Sequence, residues 1–171
     1  MLKVKSVRTI GIVGDNIQLE RELTYPVYKE EGNKYFYYKS ALYRVEDVDD
    51  ASVRVVVFSA CDLFSNIEEL LNMCDNPKTV VYLTDFRRAK RMGLKIDKKR
   101  LSYMLSCPVV YENRFSANSI NKLLSAIQIV SDTPSYYTAL DNPILARKSV
   151  IGLRCGFYSF IKRLVYKFIK L

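Results

Sequence analysis

The stretch that decides the fold class of this chain is Val53-Arg54-Val55-Val56-Val57-Phe58-Ser59-Ala60. It is a nearly continuous apolar run, broken only by Arg54 and Ser59, and half of its residues are valine. Such a run is typical of a strand that is buried on both faces of a parallel sheet. Residues 79–83, Thr79-Val80-Val81-Tyr82-Leu83, have the same character and predict a second buried strand.

Helices are predicted between and after these strands, because apolar residues recur there at helical spacing. The inner faces of three such helices are Ile67, Leu70, Leu71 and Cys74; then Leu101, Met104 and Leu105; then Ile120, Leu123, Leu124 and Ile127. Asp97 is placed to cap the second of them. A first strand at 6–13 and an aromatic hairpin at 34–45 precede the buried strands. This alternation predicts an α/β domain with a mostly parallel sheet and flanking helices.

The composition excludes several classes of protein and of active site. The 171 residues are 49% hydrophobic and 26% charged, which suits one globular domain with a small appendage. No apolar run approaches the roughly 18 residues that a membrane span needs, and no export signal is evident at the start, so we expect a cytoplasmic protein. The chain has no histidine and only four widely spaced cysteines. These counts exclude histidine bases and mixed zinc sites, and we predict no metal site.

The positive charge is concentrated at one end of the chain. The formal net charge is +9, and residues 144–171 contain seven basic residues and no acidic one. Residues 1–143 therefore carry only +2. The C-terminal segment should provide the attraction to any anionic partner.

We interpret residues 144–171 as a basic amphipathic helix, joined to a domain at 1–130 by a linker at 131–143. The apolar residues from Phe157 to Ile169 fall on one helical face, which is typical of a helix lying in a membrane interface. The candidate contact residues are Phe157, Phe160, Lys162, Arg163, Leu164, Lys167, Phe168 and Lys170. The expected partner is an anionic membrane surface at the cytoplasmic face, a protein, or both, and nucleic acid is the weaker alternative. The same helix could instead pack on the domain itself.

A family resemblance is carried by Gly93-Leu94-Lys95-Ile96-Asp97, followed by Leu105-Ser106-Cys107-Pro108-Val109-Val110. This pattern resembles the cytosolic G domain of bacterial ferrous iron transport protein B, a TrmE-Era-like P-loop GTPase. That family has a similar run just after its guanine-recognition motif. Residues 62–71 and 25–32 are similar to two further family segments. The resemblance covers about residues 7–130 and implies a P-loop-GTPase-like sheet.

The sequence departs from the family at the phosphate and magnesium contacts. Residues 11–16 stand where the phosphate loop should begin, but no Gly-Lys-Ser/Thr follows, and the next lysine is Lys29. The magnesium-binding threonine corresponds to Tyr28. The D-x-x-G of switch II and the helix after it shrink to residues 46–52. Phosphoryl transfer depends on these parts, so we expect no GTP hydrolysis and no bound cofactor.

A remnant of guanine recognition is predicted at Tyr82-Leu83-Thr84-Asp85, where the family has N-x-x-D. Asp85 keeps the carboxylate that would pair with guanine, or it simply caps the helix that follows. The residual nucleotide-binding candidates are Gly14, Asp15, Asp85 and Asn113. We hypothesise a non-catalytic FeoB-like pseudo-GTPase that acts as a binding or regulatory module. The alternative is a guanine-nucleotide switch linked to iron transport, which would bind GTP and Mg²⁺ through Asp85 and a predicted helix at 15–23.

Three other charged or aromatic clusters have plain structural interpretations. Asp47, Asp49 and Asp50 are expected to form a solvated turn, although carboxylates there could bind a cation. The tyrosines of the hairpin are expected to fill sheet faces, although they could stack on nucleic-acid bases. The basic residues between 87 and 100 are expected to form a solvated face, although they could bind phosphate or an acidic protein.

Overall fold

The strands and helices are assigned in a computed structural model that describes residues 7–14, 28–30, 33–39, 41–76, 78–111, 117–133 and 151–153. The strands are β1 (Arg8–Val13), β2 (Tyr28–Glu30), β3 (Asn33–Tyr38), β4 (Ala41–Glu46), β5 (Val53–Ser59), β6 (Thr79–Thr84), β7 (Leu94–Ile96), β8 (Val109–Tyr111) and β9 (Ile151–Leu153). The helices are α1 (Ile67–Met73), α2 (Phe86–Arg91), α3 (Lys98–Leu105) and α4 (Ala117–Asp132).

The main sheet has seven strands in the order β2-β3-β4-β1-β5-β6-β8. Strand β1 is parallel to both β4 and β5, and β6 is parallel to both β5 and β8. Strands β2, β3 and β4 form an antiparallel meander at one end. The predicted mostly parallel α/β sheet is therefore confirmed.

Helices cover both faces of the sheet, which explains the continuous apolar runs of the central strands. On one face, Val56 and Val81 pack in a core with residues of α1, α2 and α3, so we call it the α1–α3 face. On the other, Val55 and Val80 pack with residues of α4, so we call it the α4 face. Because side chains alternate along a strand, both sets must be apolar.

Local sequence signals fix the ends of the helices on the α1–α3 face. The Asp97 carboxylate accepts hydrogen bonds from the backbone N–H groups of Lys99 and Arg100, at 3.1 and 3.2 Å. The predicted cap of α3 is thus confirmed, and it satisfies two N–H groups that have no partner inside the helix. Gly93 follows α2 with a φ of 85°, a value that glycine adopts without strain.

The connection from β4 to β5 is only six residues long, 47–52, and contains no helix. It can be this short because Val45 and Val53 both lie beside Ile10, so the chain needs only to step across β1. It passes over Gly11, where an added Cβ would lie 2.7 Å from the Cα of Val48. The absence of a side chain at Gly11 is therefore a condition for this crossover.

Three short strands were not predicted from the sequence: β2, β7 and β9. The last one corrects the prediction of a single helix over 144–171, because residues 151–153 form β9 and pair antiparallel with β7. Helix α4 also continues through Ser131 and Asp132, at the start of the predicted linker. The predicted helix at 15–23 and the segment from 154 onward lie outside the described residues.

Within the described part of the chain, no helix combines the length and the apolar character that crossing a membrane requires.

Candidate functional site

The candidate site lies at the sheet edge where parallel strands end, which is where open α/β sheets bind their ligands. Gly14 follows β1, residues 60–62 follow β5, and Asp85 follows β6. We call these residues the rim. The structure thus brings Gly14 and Asp85 to one edge, as the sequence predicted. The other two candidates, Asp15 and Asn113, lie outside the described residues.

Gly14 has a structural reason to be glycine. Its φ is 104°, and a Cβ there would lie 2.5 Å from the carbonyl oxygen of Val57. The end of β1 therefore turns away directly against β5, and any side chain would collide with that strand. This close approach accounts for Gly14 without a bound phosphate.

Asp85 has an unusual backbone conformation and an uncommitted carboxylate. Its φ and ψ are 53° and 20°, in the left-handed region that aspartate enters more readily than most residues. It occupies the N-cap position of α2, and its carbonyl accepts the N–H of Ala89 at 2.9 Å. Its side chain, however, makes no capping hydrogen bond. The idea that the Asp85 carboxylate serves as a helix cap is therefore wrong.

The turn after β5 uses its own backbone N–H groups internally. The N–H of Ala60 donates to the carbonyl of Thr84, and the N–H of Asp62 donates to the carbonyl of Ser59, at 2.9 and 3.1 Å. The N–H of Cys61 donates to the Ser59 hydroxyl at 3.2 Å. A phosphate cradle requires such groups to point outward at the ligand. This turn therefore offers no cradle.

The ionisable side chains of the rim suit neither phosphate binding nor nucleophilic catalysis. Asp62 and Asp85 are both exposed carboxylates, which would repel a triphosphate. Burial, and then the charge of Asp85, raise the pKa of the Cys61 thiol. Its sulfur lies 3.9 Å from the carbonyl oxygen of Asp85. Cys61 therefore stays protonated at neutral pH, whereas a nucleophile would need the thiolate.

An aromatic pair beside Asp85 was not predicted from the sequence. The rings of Phe86 and Tyr111 have centroids 4.7 Å apart, and the Lys98 ammonium lies 3.4 Å from the Tyr111 centroid. A hydrogen bond from Lys98 and its positive charge lower the pKa of Tyr111. The strand order could have indicated this pair, because Phe86 directly follows β6 and Tyr111 is the last residue of the neighbouring strand β8. This pair closes the rim on the α1–α3 face.

Neither a metal site nor a cavity coincides with the predicted residues in the described ranges. No three acidic, cysteine or histidine side chains there lie close enough to hold a metal ion, and this includes Asp47, Asp49 and Asp50. A shallow groove of about 700 Å³ lies beside β8 instead. Its lining residues are Lys98, Lys99, Ser102, Tyr103, Ser106, Cys107, Pro108 and Val109.

The comparisons with known proteins agree with this geometry at the level of the fold. No protein-family model and no curated protein matches the sequence. Among solved structures, the cytosolic domain of the T. maritima FeoB iron transporter in its apo form matches with a TM-score of 0.62 and 19% identity. That match covers 80% of this chain and 68% of the other.

Two further solved structures give the same result. The cytosolic domain of L. pneumophila FeoB matches with a TM-score of 0.59 and 19% identity, over 80% of this chain and 74% of that one. The FeoB G-domain from Methanococcus jannaschii matches with a TM-score of 0.57 and 20% identity, over 75% of this chain and all of that one. The resemblance predicted from the sequence is thus confirmed as a shared fold, and this chain has the α/β architecture of the FeoB G domain.

Proposed function

We propose that this chain is a non-catalytic FeoB-like pseudo-GTPase domain that acts as a binding or regulatory module. The observation that carries the proposal is the β4–β5 crossover. In the family that the sequence resembles, this connection holds the γ-phosphate-sensing D-x-x-G and a helix. Here six residues pass directly over Gly11, and Ala51 would lie 2.9 Å from a Cβ at that position. The six-residue crossover contains no D-x-x-G, and it is too short to include a helix as well.

The rim supports the same proposal. The sequence has no phosphate-loop lysine after Gly14. The N–H groups of residues 60–62 are occupied within the protein, and the carboxylates of Asp62 and Asp85 lie exposed at the same rim. Phosphoryl transfer relies on positioning and charge neutralisation, and both would be lacking. By analogy with the transporters whose structures share this fold, the module would work beside ferrous iron transport.

Calorimetric titration of the full chain with GTP and GDP, with and without magnesium, tests the proposal. We expect no binding heat at millimolar nucleotide and no hydrolysis in a single-turnover assay. Micromolar, magnesium-dependent binding would contradict the proposal and restore a switch with an unconventional phosphate site.

The alternative function, a guanine-nucleotide switch, is favoured by one observation. The Asp85 carboxylate lies exposed at the position of the guanine-reading aspartate, and it is not used as a helix cap. If nucleotide binds, Asp85→Asn should weaken it strongly, because the neutral amide cannot accept both guanine hydrogens. Asp62→Asn is the matched control, since it removes an equally exposed carboxylate from the same rim. Equal effects of the two variants would exclude base recognition by Asp85.

The proposal includes association with an anionic membrane surface through the C-terminal basic segment. Its support is the sequence pattern of aromatic and apolar residues with lysine and arginine but no acidic residue. Changing Lys162, Arg163, Lys167 and Lys170 to Glu should abolish binding to anionic vesicles. Unchanged binding would contradict this part, and binding to a protein extract alone would favour a protein partner.

A further inference from the structure

We call residues 1–143 the body. We propose that the body carries a second membrane-binding surface, formed by α2, β7 and the first turn of α3. We call it the basic flank and define it by the residues Arg88, Lys90, Arg91, Lys95 and Lys99. The flank would lie on anionic lipid headgroups beside the C-terminal segment. This inference rests on the proposed membrane association and adds the orientation of the body to it.

Charge is unevenly distributed along the sequence of the body. Residues 85–100 contain eight basic and two acidic residues, a net charge of +6. Since residues 1–143 carry +2 in total, the rest of the body carries −4. One of the two acids, Asp97, caps α3 and forms an ion pair with Arg100 at 3.6 Å. The positive charge of the body is therefore concentrated in this sixteen-residue stretch.

The basic residues of the flank are all exposed on the surface. Helix α2 buries only Ala89 among its six residues, while Arg88, Lys90 and Arg91 are exposed. Strand β7 places Lys95 in solvent between the half-buried residues Leu94 and Ile96. These three residues of the helix thus present their charges at the protein surface.

Apolar and aromatic side chains are also exposed at the end of α2 and on α3. Met92 at the end of α2 is 44% exposed, and Tyr103 on α3 is 84% exposed, one helical turn from Lys99. Exposed apolar and aromatic groups beside lysine and arginine suit a membrane interface, where the cations meet headgroups and the apolar groups enter the boundary with the acyl chains. A surface built only to attract nucleic acid would gain little from Met92.

Strand β9 lies next to the flank. Strand β9 is antiparallel to β7, and its register sets Leu153 beside Leu94. Leu94 follows α2 after only Met92 and Gly93, so the chain passes residue 153 next to the flank. Leu153, which directly precedes the basic segment in the sequence, therefore lies beside the flank. A single flat anionic surface can bind both, and this favours a bilayer over a compact protein partner.

Vesicle binding with charge-matched variants tests the inference. The flank variant carries Lys90→Gln, Arg91→Gln and Lys95→Gln. The control carries Lys39→Gln, Lys78→Gln and Lys122→Gln, which remove the same charge from the hairpin turn, the start of β6 and the α4 face. On vesicles of equal parts phosphatidylglycerol and phosphatidylcholine, we expect the flank variant to bind on the order of a hundredfold more weakly, and the control only slightly so.

Tryptophan reporters test the orientation directly, because the chain contains no tryptophan. Met92→Trp places a reporter on the flank, and Ile129→Trp places one on α4, where the isoleucine is 61% exposed on the opposite side of the sheet. On anionic vesicles we expect a blue shift, and quenching by brominated lipid, for the Met92 reporter alone. Equal responses of the two reporters would overturn the inference.

The two sets of variants distinguish this inference from the broader proposal. If the Glu variant of the C-terminal segment loses vesicle binding while the flank variant matches its control, the flank inference is wrong and the membrane proposal stands. If the wild-type chain does not bind vesicles, both are wrong. If the flank variant loses binding only to a nucleic-acid duplex or an acidic protein, the flank has a different partner and the inference is overturned.

Discussion

The two halves of the sheet differ in how the α1–α3 face is covered. Over β5 and β6, helices of this face bury Val56, Val81 and Leu83 completely. Over β1 the described residues place only the six-residue crossover, and Tyr37 on β3 is 70% exposed on this face. The α4 face is continuous, since Phe36 and Tyr43 of the first half stack there with ring centroids 5.3 Å apart. Among the described residues, helices therefore cover the α1–α3 face over β5 and β6, and a short crossover covers it over β1.

The largest effect should come from breaking the well-covered half. Leu101 on α3 is fully buried, so Leu101→Ala should lower the free energy of unfolding by about 2–5 kcal/mol. Leu42→Ala is the comparison, because Leu42 on β4 is only half-buried, and it should cost less than about 1.5 kcal/mol. Urea unfolding measures both, and equal losses would contradict the difference between the halves.

The next largest effect should come from filling the contact under the crossover. Gly11→Ala brings a Cβ within 2.7 Å of Val48 and 2.9 Å of Ala51, and overpacking of this kind costs about 1–3 kcal/mol. Adding Ala51→Gly should restore part of the loss, because it removes one of the two contacts. A neutral Gly11→Ala substitution would mean that the crossover does not pass over β1 as described.

A smaller effect should come from loosening the end of the crossover. The backbone N–H and the hydroxyl of Ser52 donate to Thr9, at 2.7 and 2.8 Å, and the Thr9 N–H donates back to the Ser52 hydroxyl at 3.1 Å. Ser52→Ala removes the two bonds made by the hydroxyl. A hydrogen bond contributes a net of about 0.5–1.5 kcal/mol to stability. We therefore expect Ser52→Ala to lower the free energy of unfolding, measured in urea, by about 1–2 kcal/mol. Thr133→Ala, which removes one exposed bond to Ile129, is the control.

The smallest effect concerns the aromatic pair beside Asp85. Because Lys98 lowers the pKa of Tyr111, Lys98→Gln should raise that pKa in an alkaline titration followed by NMR, whereas Lys99→Gln should not. The lowered pKa of Tyr111 stabilises the fold in full at a pH above the pKa of tyrosine in the unfolded chain. This contribution is lost as the pH falls through the pKa of Tyr111 in the folded protein. At neutral pH, Lys98→Gln should therefore cost the contacts that Lys98 makes with the two rings, on the order of 1 kcal/mol.

The sequence predicted the elements whose signals are local or periodic. The apolar run of β5, the stripe of α4 and the Asp97 cap each follow from neighbouring residues, and all three are confirmed. Strands β2, β7 and β9 were missed because three residues carry no measurable period. Strand β9 exists through its pairing with β7, which lies far away in the sequence, and a helical pattern does not reveal such a partner.

The candidate site was predicted in part. The topology follows from alternating strands and helices, so Gly14 and Asp85 were correctly placed at one edge. The role of Gly11 was not predicted, although an isolated glycine inside a strand is a known sign of close backbone approach. The Asp85 side chain does not cap α2, and the backbone of Asp85 is left-handed. The neighbouring residues in the sequence do not predict this backbone conformation.

The pairing of β7 with β9 also sets how far the body can reach. Each strand has three residues, and a two-stranded pair of that length is marginal by itself, so we expect it to open well before the main sheet unfolds. While the pair is closed, Leu153 stays beside Leu94 and therefore beside the flank. Once it opens, the upper bound on the distance between Leu153 and the end of α4 becomes the extended length of residues 133–153, about 70 Å. The small sheet therefore decides whether the residue that precedes the basic segment is fixed on the body or can move away from it.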